Sequence, residues 1–342
     1  MRRMMKFSLV VLFSVIFAGF MFFYYLFMPI GVQDETVKIV ISPGTPIGAI
    51  VDSLRTHDVI TSRKALLIWL RITGTANQIQ AGRFRFLEGE GVLSASEKLL
   101  DAEPIEKAVT INEGLTMEQT AGRYTAEMQT DSAEFVRLCN DPDFIKGTGI
   151  KAKSLEGYLF PDTYRFPEES REALIIRKMV SRFHEAYATV KGDNDIMEKY
   201  SMHEIVTLAS IVEKEATLAS ERGRIAGVFH NRLELGYPLG ADPTVRYIFR
   251  KFSGPLLVSE LKSDSPYNTR RFTGLPPGPI CSPGLAAIQA STNPDSTDEL
   301  YFVARWDGTG AHDFSKTNAE HERKKLKIRR QNELRKKMKG LK

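Results

Sequence analysis

The chain has 342 residues, 42% hydrophobic and 26% charged, enough for two or three domains with proper cores. The net charge of +5 conceals an asymmetry: residues 323–342 hold eleven Lys or Arg against the single acid Glu333, Arg2, Arg3 and Lys6 lead the chain, and the middle is left at −8. That is the reverse of the basic folded body of a nucleic-acid-binding protein, and two cysteines, Cys139 and Cys281, exclude a disulfide framework and leave either two buried thiols or one bridge.

Residues 7–28, "FSLVVLFSVIFAGFMFFYYLFM", carry no charge. As a helix they would measure about 33 Å, enough to cross a bilayer core. The run ends in Tyr24, Tyr25, Phe27 and Pro29, an aromatic belt rather than a small-residue cleavage site. The positive charges precede it, so residues 1–6 are expected in the cytoplasm and everything after Pro29 outside. The expectation is an uncleaved single-pass anchor.

Two later segments echo one another. "VKIVISPGTPIGAIVDSLRTHDVI" reads as strand, glycine turn and helix, with Thr45 as cap, Pro46 in the first turn, and Ile47, Ile50, Val51 and Leu54 on one face. "KAVTINEGLTMEQTAGRYTAEM" repeats the plan through Gly114, with Thr116 and Gln119 as a capping box. Between them, "SRKALLIWLRITG" predicts a short helix capped by Ser62, and "QAGRFRF" alternates as a strand does. Such strand–helix modules resemble LysM-type sugar-binding domains, here over residues 36–107. Asp131 and Glu134 open another helix, "SLEGYLFPDTYRF" reads as loop and strand, and "EALIIRKMVSRFHEAYATV" is amphipathic through Ile176, Met179, Val180, Phe183 and Tyr187. Gly236 stops the helix before it, and a long Pro- and Gly-rich stretch follows, of the kind that builds binding walls, before a strand at Tyr301, Phe302 and Val303. The basic tail reads as a solvated helix face with the chemistry to meet anionic lipid or polymer.

The stretch "LASIVEKEATLASERGRIAGVFHNRL", residues 208–233, places charges inside an apolar helix. At about 100° per residue from Leu208, Ile205, Ile211, Val212 and Ala219 fall within one arc, and Glu215 lies inside it at about −20°. Glu213, at about 140°, and Lys214 lie outside it, toward solvent or an edge. A carboxyl held against apolar groups resists ionisation, as a general acid at neutral pH must. The alternative is a structural Glu215 paired with Arg222 or Arg232.

At these residues the chain resembles the YceG-like family of endolytic murein transglycosylases, membrane-anchored enzymes that cut peptidoglycan. The matching motifs are "EGYLFPDTY", "LASIVEKEA", "ASERGRIAGVFHNRL", "DPTVRY", "SPYNT", "GLPPGPI", "SPG", "YFV" and "HDFSKTNAEH", in order from residue 156 to 321. Arg270 stands where the pattern after "YNT" carries an aromatic. The resemblance implies an α+β chain. From the residues themselves, 1–6 are expected as the cytoplasmic N-terminus, 7–28 as a transmembrane helix, 36–107 as the LysM-like module and 321–342 as a basic C-terminal tail that the resemblance does not explain. The resemblance adds a larger mixed α/β catalytic domain over 108–320. It places the catalytic acid on the second glutamate of "EKE", Glu215, and implies a lytic transglycosylase cleaving the bond between N-acetylmuramic acid and N-acetylglucosamine.

A glycosidase ordinarily sets two carboxylates across the scissile bond, and Glu213 and Glu215 diverge too far around one helix to be that pair. A single acid suits closure of a 1,6-anhydro ring by the sugar's own hydroxyl, the product the resemblance implies; from the residues alone, hydrolysis by a muramidase stays open, as does a glycan-binding adaptor without catalysis. Candidate substrate contacts are Glu213, Asp242, Thr244, Tyr267 and Asn268, although a surface charge (Glu213) and turn formation are the plainer readings. His312 has no partner at metal-ligand spacing, and no metal or cofactor is expected. The expected partners are peptidoglycan strands, the cell (inner) membrane and peptidoglycan synthases, with no nucleic acid.

Overall fold

The computed structural model describes residues 2–27, 36–42, 44–101, 106–167 and 170–340, with the side chains of 12–24 in the first of these and those up to 335 in the last. The chain divides into two compact units, residues 1–106 and 107–342.

The first unit begins with α1 (Arg2–Phe27), whose described side chains include Leu12, Phe13, Val15, Ile16, Phe17 and Phe20, all exposed. Among the described residues no helix is long and apolar enough to cross a membrane. The side chains of 7–11 and 25–28 in the expected span lie outside those described. Strands β1 (Thr36–Ile41) and β2 (Gly82–Leu87) pair antiparallel, Ile39 opposite Phe84 and Val37 opposite Phe86. Alternation puts Phe84 and Phe86 on the covered face and Arg83 and Arg85 on the open one. Between the strands lie α2 (Ile47–Thr56) and α3 (Arg63–Thr73), and after them α4 (Val92–Lys98). Val51, Leu54, Leu66, Phe86 and Leu99 form the core, and Phe22 of α1 packs against it. Ser62 caps α3 by accepting the Ala65 N–H, and Gly74 ends it in the left-handed region, φ 69°. Thr45 does not cap α2: its hydroxyl donates to Ser42 O at 2.7 Å and closes the turn, and the helix starts after Pro46.

The second unit opens with β3 (Glu106–Thr110), which neighbours β4 (Thr163–Pro167). Between them run α5 (Met117–Met128), α6 (Ser132–Cys139) and α7 (Pro142–Lys146). Thr116 and Gln119 form the full capping box of α5, and Asp131 caps α6. Then come α8 (Glu172–Ala188), α9 (Asn194–Lys199), α10 (Met202–Glu215), α11 (Arg222–Glu234), α12 (Asp242–Ile248), α13 (Val258–Leu261) and α14 (Leu285–Thr292). Last are β5 (Tyr301–Ala304), β6 (His312–Ser315) and α15 (Asn318–Gly340). The basic segment is therefore the continuation of a helix that starts before it. Strands β5 and β6 form an antiparallel hairpin, Tyr301 opposite Ser315.

The core of this unit gathers Tyr124, Phe135, Tyr158, Phe166, Phe183 and Phe229 around α10. Every residue of α10 from Ile205 to Val212 is buried, and the helix packs on α11, α12 and α14. Both cysteines are buried free thiols. Gly157 of the "EGYLF" motif, at φ 87°, permits a close crossing: a Cβ there would stand 2.4 Å from Pro279 Cβ.

Candidate active site

Helix α10 is fixed at its start by Ser201 and Glu204, which form a reciprocal capping box. Its end carries the charges. Glu215 is its last residue, before Ala216 turns to extended backbone. There the unsatisfied carbonyls of the helix terminus disfavour a negative charge. Burial raises the Glu215 carboxyl to about 7, Asp242 pushes the same way, and Arg232 and Arg270 oppose them. Glu215 keeps partial solvent exposure, and among the described residues no hydrogen bond holds its carboxyl. A raised, unengaged acid at the end of a rigid helix is equipped to give up a proton.

Glu213 differs from the sequence expectation. Its side chain is only 8% exposed, so it is no helix-surface charge. A helix with one covered face would put Glu213 in solvent, whereas α10 is covered all round from Ile205 to Val212, and α14 lies on the side assigned to solvent. The Gly284 N–H, at the start of α14, donates to Glu213 Oε2 at 3.1 Å, and Arg222 Nη2 stands 3.9 Å from Oε1. Burial raises the carboxyl; the Gly284 N–H opposes this, Glu113 adds to it, and Arg222 and Lys214 oppose it. Lys214 itself donates to Gly114 O at 3.2 Å. Of the two arginines considered as partners of Glu215, Arg232 lies near it while Arg222 serves Glu213 and Glu113.

Asp242 begins α12, where Pro243 fits the first turn, and pairs with Arg270 at 2.6 Å. Arg270 thus acts on Glu215 through its charge while paired with Asp242, and is no aromatic wall. Arg232 donates to Leu300 O and Leu239 O, each at 2.6 Å, and lies over the Tyr301 ring. Thr244 and Asn268 are fully buried and already engaged. The Thr244 hydroxyl donates to Ala241 O at 2.7 Å and meets Thr269 Oγ1 at 2.9 Å. Asn268 Nδ2 donates to Ser263 O and Leu261 O, and its Oδ1 accepts the Arg270 N–H. Both are locks of the turn that holds Arg270, not surfaces open to a ligand. Tyr267 is half-buried, 5.2 Å from the Tyr247 ring, and lines a cavity of about 710 Å³ with His203, Pro277 and Gly278. A smaller cavity of about 350 Å³ lies against Pro243, Arg246, Tyr247 and Lys214.

Sequence reasoning passed over Glu156. Its carboxyl, 2% exposed, accepts the Met117 N–H at the start of α5 (3.0 Å) and the Tyr247 hydroxyl of α12 (3.3 Å). Burial lifts it to about 8, with Glu118 adding and the Met117 N–H opposing. The signal was present as an acid inside the apolar motif "EGYLF". His312 is buried against Glu221 at 2.8 Å, and among the described residues no cluster could hold a metal ion.

The chain matches the YceG-like family over residues 39–327. It is 36% identical over 313 residues to the endolytic murein transglycosylase of Bacillus subtilis, covering 86% of this chain and 85% of that one. The endolytic murein transglycosylase of Streptococcus pneumoniae is 31% identical over 259 residues, 66% of this chain and 46% of the longer relative. A crystal structure from Listeria monocytogenes described as yceG-like superposes with a TM-score of 0.58 at 31% identity, covering 85% of this chain and 99% of that one. With Glu215 on the matched segment and the match running through both units, the chain belongs to the YceG-like family.

Proposed function

We propose that this chain is a membrane-anchored endolytic murein transglycosylase in which Glu215 alone serves as acid and then base. The observation that carries the reading is the Glu215 carboxyl, raised to about 7 and bound to no neighbour among the described residues. The names of the relatives in Bacillus subtilis and Streptococcus pneumoniae supply the substrate class.

Glu215 gives its proton to the oxygen bridging N-acetylmuramic acid and N-acetylglucosamine as the bond to the muramic anomeric carbon breaks. The resulting carboxylate takes the proton of the muramic C6 hydroxyl, whose oxygen attacks that anomeric carbon and closes a 1,6-anhydro ring. The proton count returns to its start and no water enters. The intramolecular hydroxyl supplies by proximity what a second protein group supplies in a hydrolase. Asp242, the carboxylate whose charge acts on Glu215, is tied to Arg270 at 2.6 Å, which favours a single acid over a pair that activates water. Tyr267, half-buried on the wall of the cavity of about 710 Å³, is the candidate for sugar contact, while Asp242 acts through the charge balance at Glu215.

The exposed apolar side chains of α1 support an anchor that keeps the chain single-pass at the cell membrane, its larger part outside, where strands emerge from peptidoglycan synthases. The strand–helix–helix–strand order of β1, α2, α3 and β2 supports a LysM-like glycan-holding role for residues 36–107; deleting this module should weaken sedimentation with sacculi, and unchanged pelleting would make it a spacer. The function itself is tested by mass spectrometry of fragments released from sacculi. Muramic ends lighter by one water than hydrolysed ends are expected; reducing muramic ends as the main product would establish a muramidase instead.

A further inference from the structure

The second unit carries a groove unconnected with the acid chemistry, between α15 and the tip of the β5–β6 hairpin. It encloses about 790 Å³, with Val303, Trp306, Leu326 and Ile328 among its apolar walls and Lys325, Arg329 and Arg335 among its cations. Trp306 is 76% exposed, the highest of any large apolar residue described, and its backbone sits at φ 52°. A bulky side chain in the left-handed region is an outlier that folding alone does not favour. The tip around it is fixed: Asp307 Oδ1 accepts the Thr309 N–H at 3.0 Å, the Ala311 N–H donates to Thr309 Oγ1 at 3.3 Å, and Arg305 pairs with Asp313 at 2.8 Å. The indole is thus held out into solvent by an ordered loop. Lys325 is paired with Glu322 at 2.8 Å, whereas among the described residues Arg329 and Arg335 are in no ion pair.

The hairpin also adjoins the end of the catalytic helix. Gly310 lies against Thr217, two residues past Glu215: a Cβ on Gly310 would stand 2.6 Å from Thr217 Cγ2. Glu221, on the same connection, accepts both the N–H and the ring of His312 at the base of β6. A polymer engaged at Glu215 therefore has this groove on a neighbouring element.

The geometry points to an accessory site for the peptide-bearing glycan strand, with Trp306 stacked on a sugar ring and Arg329 and Arg335 bound to carboxylates of the stem peptides. The inference rests on the murein reading above and deepens it. An indole face suits a pyranose ring, and guanidiniums outside any close ion pair suit carboxylates through paired N–H donors, with Arg335 acting on Asp307 of the hairpin tip only through its charge. A flat anionic bilayer fits less well, because the groove is concave and carries Glu322 and Glu333 on its walls.

The chain has two tryptophans, and Trp69 is hydrogen-bonded to Ser96 at 3.1 Å within the first unit, so Trp69→Phe leaves Trp306 as the only indole. The full chain in detergent, carrying Trp69→Phe and Glu215→Gln to prevent cleavage, is titrated with soluble uncrosslinked glycan strands while Trp306 emission is followed. Parallel titrations use the same strands stripped of stem peptides and phosphatidylglycerol vesicles. Stem-bearing strands should shift the emission, and Arg329→Glu with Arg335→Glu should raise the midpoint roughly tenfold or more, as expected for a charged hot spot. The site is overturned if strands retained by the protein leave Trp306 silent. It is equally overturned if stripped strands respond as well as stem-bearing ones, or if vesicles shift the emission and strands do not. Cleavage of the same strands by the Trp69→Phe chain separates the two readings. Cleavage with silent Trp306 removes this site alone, and neither cleavage nor retention removes the murein reading with it.

Discussion

At Glu215 four influences meet: burial and Asp242 raise the carboxyl to about 7, and Arg232 and Arg270 hold it down. An acid that must enter the reaction protonated is lost as pH climbs through that value, so activity should decline above about pH 7. Arg270→Leu removes one of the opposing charges, and the decline should move to higher pH; a pH–rate profile identical to that of the parent would show that Arg270 does not act on the reacting acid. The same shift has a stability consequence. A carboxyl raised above its ordinary 4.5 binds its proton more tightly folded than unfolded. The chain therefore carries no penalty below about pH 4.5 and loses stability progressively as pH rises from there to about 7. Glu215→Gln removes that loss, and at pH 8 it should be more stable than the parent by up to about 3 kcal/mol, with little difference at pH 4.5. Urea unfolding at the two pH values measures it, and equal midpoints at pH 8 would count against a desolvated acid.

Between elements, the site depends on close crossings and on polar groups shared by neighbouring helices. Gly157, at φ 87° and with Pro279 Cβ 2.4 Å from where its own Cβ would stand, lets the "EGYLF" turn pass beneath the "GLPPGPI" loop. Gly157→Ala should cost about 2–4 kcal/mol, the sum of the strained φ and the overpacking. A loss under 1 kcal/mol in denaturant titration would mean the crossing is loose. How much of this was legible in the sequence follows from range. Caps act within three residues, so Ser62, Thr116 with Gln119, Asp131 and the stop before Gly236 could be read directly. The strands at 36–41, 82–87 and 301–304 were visible by alternation or composition. Glu213 could not be placed, because helical periodicity locates a face only when one face is exposed, and α10 is buried all round from Ile205 to Val212. Asp242 with Arg270, Glu213 with Gly284 and Glu156 with Met117 are contacts 28, 71 and 39 residues apart, which no local pattern encodes. Thr244 and Asn268 invited a ligand-binding reading because hydroxyls and amides suit sugars, yet the backbone around Arg270 had already claimed both.

For the whole molecule, the chain divides into residues 1–106, which carry α1, and residues 107–342, which hold Glu215. If α1 is the anchor, deleting residues 1–30 should move the protein from the membrane pellet to the supernatant, and a truncated chain that still pellets would assign that attachment elsewhere. The most direct test of the central claim is the rate at which anhydro fragments leave sacculi when the full chain carries Glu215→Gln or Glu213→Gln. Glu215→Gln keeps shape but has no acidic proton, and it should lose about 10²–10⁴-fold in rate while remaining folded. Glu213→Gln keeps an acceptor for the Gly284 N–H and gives up only its charge beside Arg222, so most of the rate should survive. A chain that stays active with Glu215→Gln and loses activity with Glu213→Gln would contradict the account and move the catalytic acid to the carboxyl packed against α14.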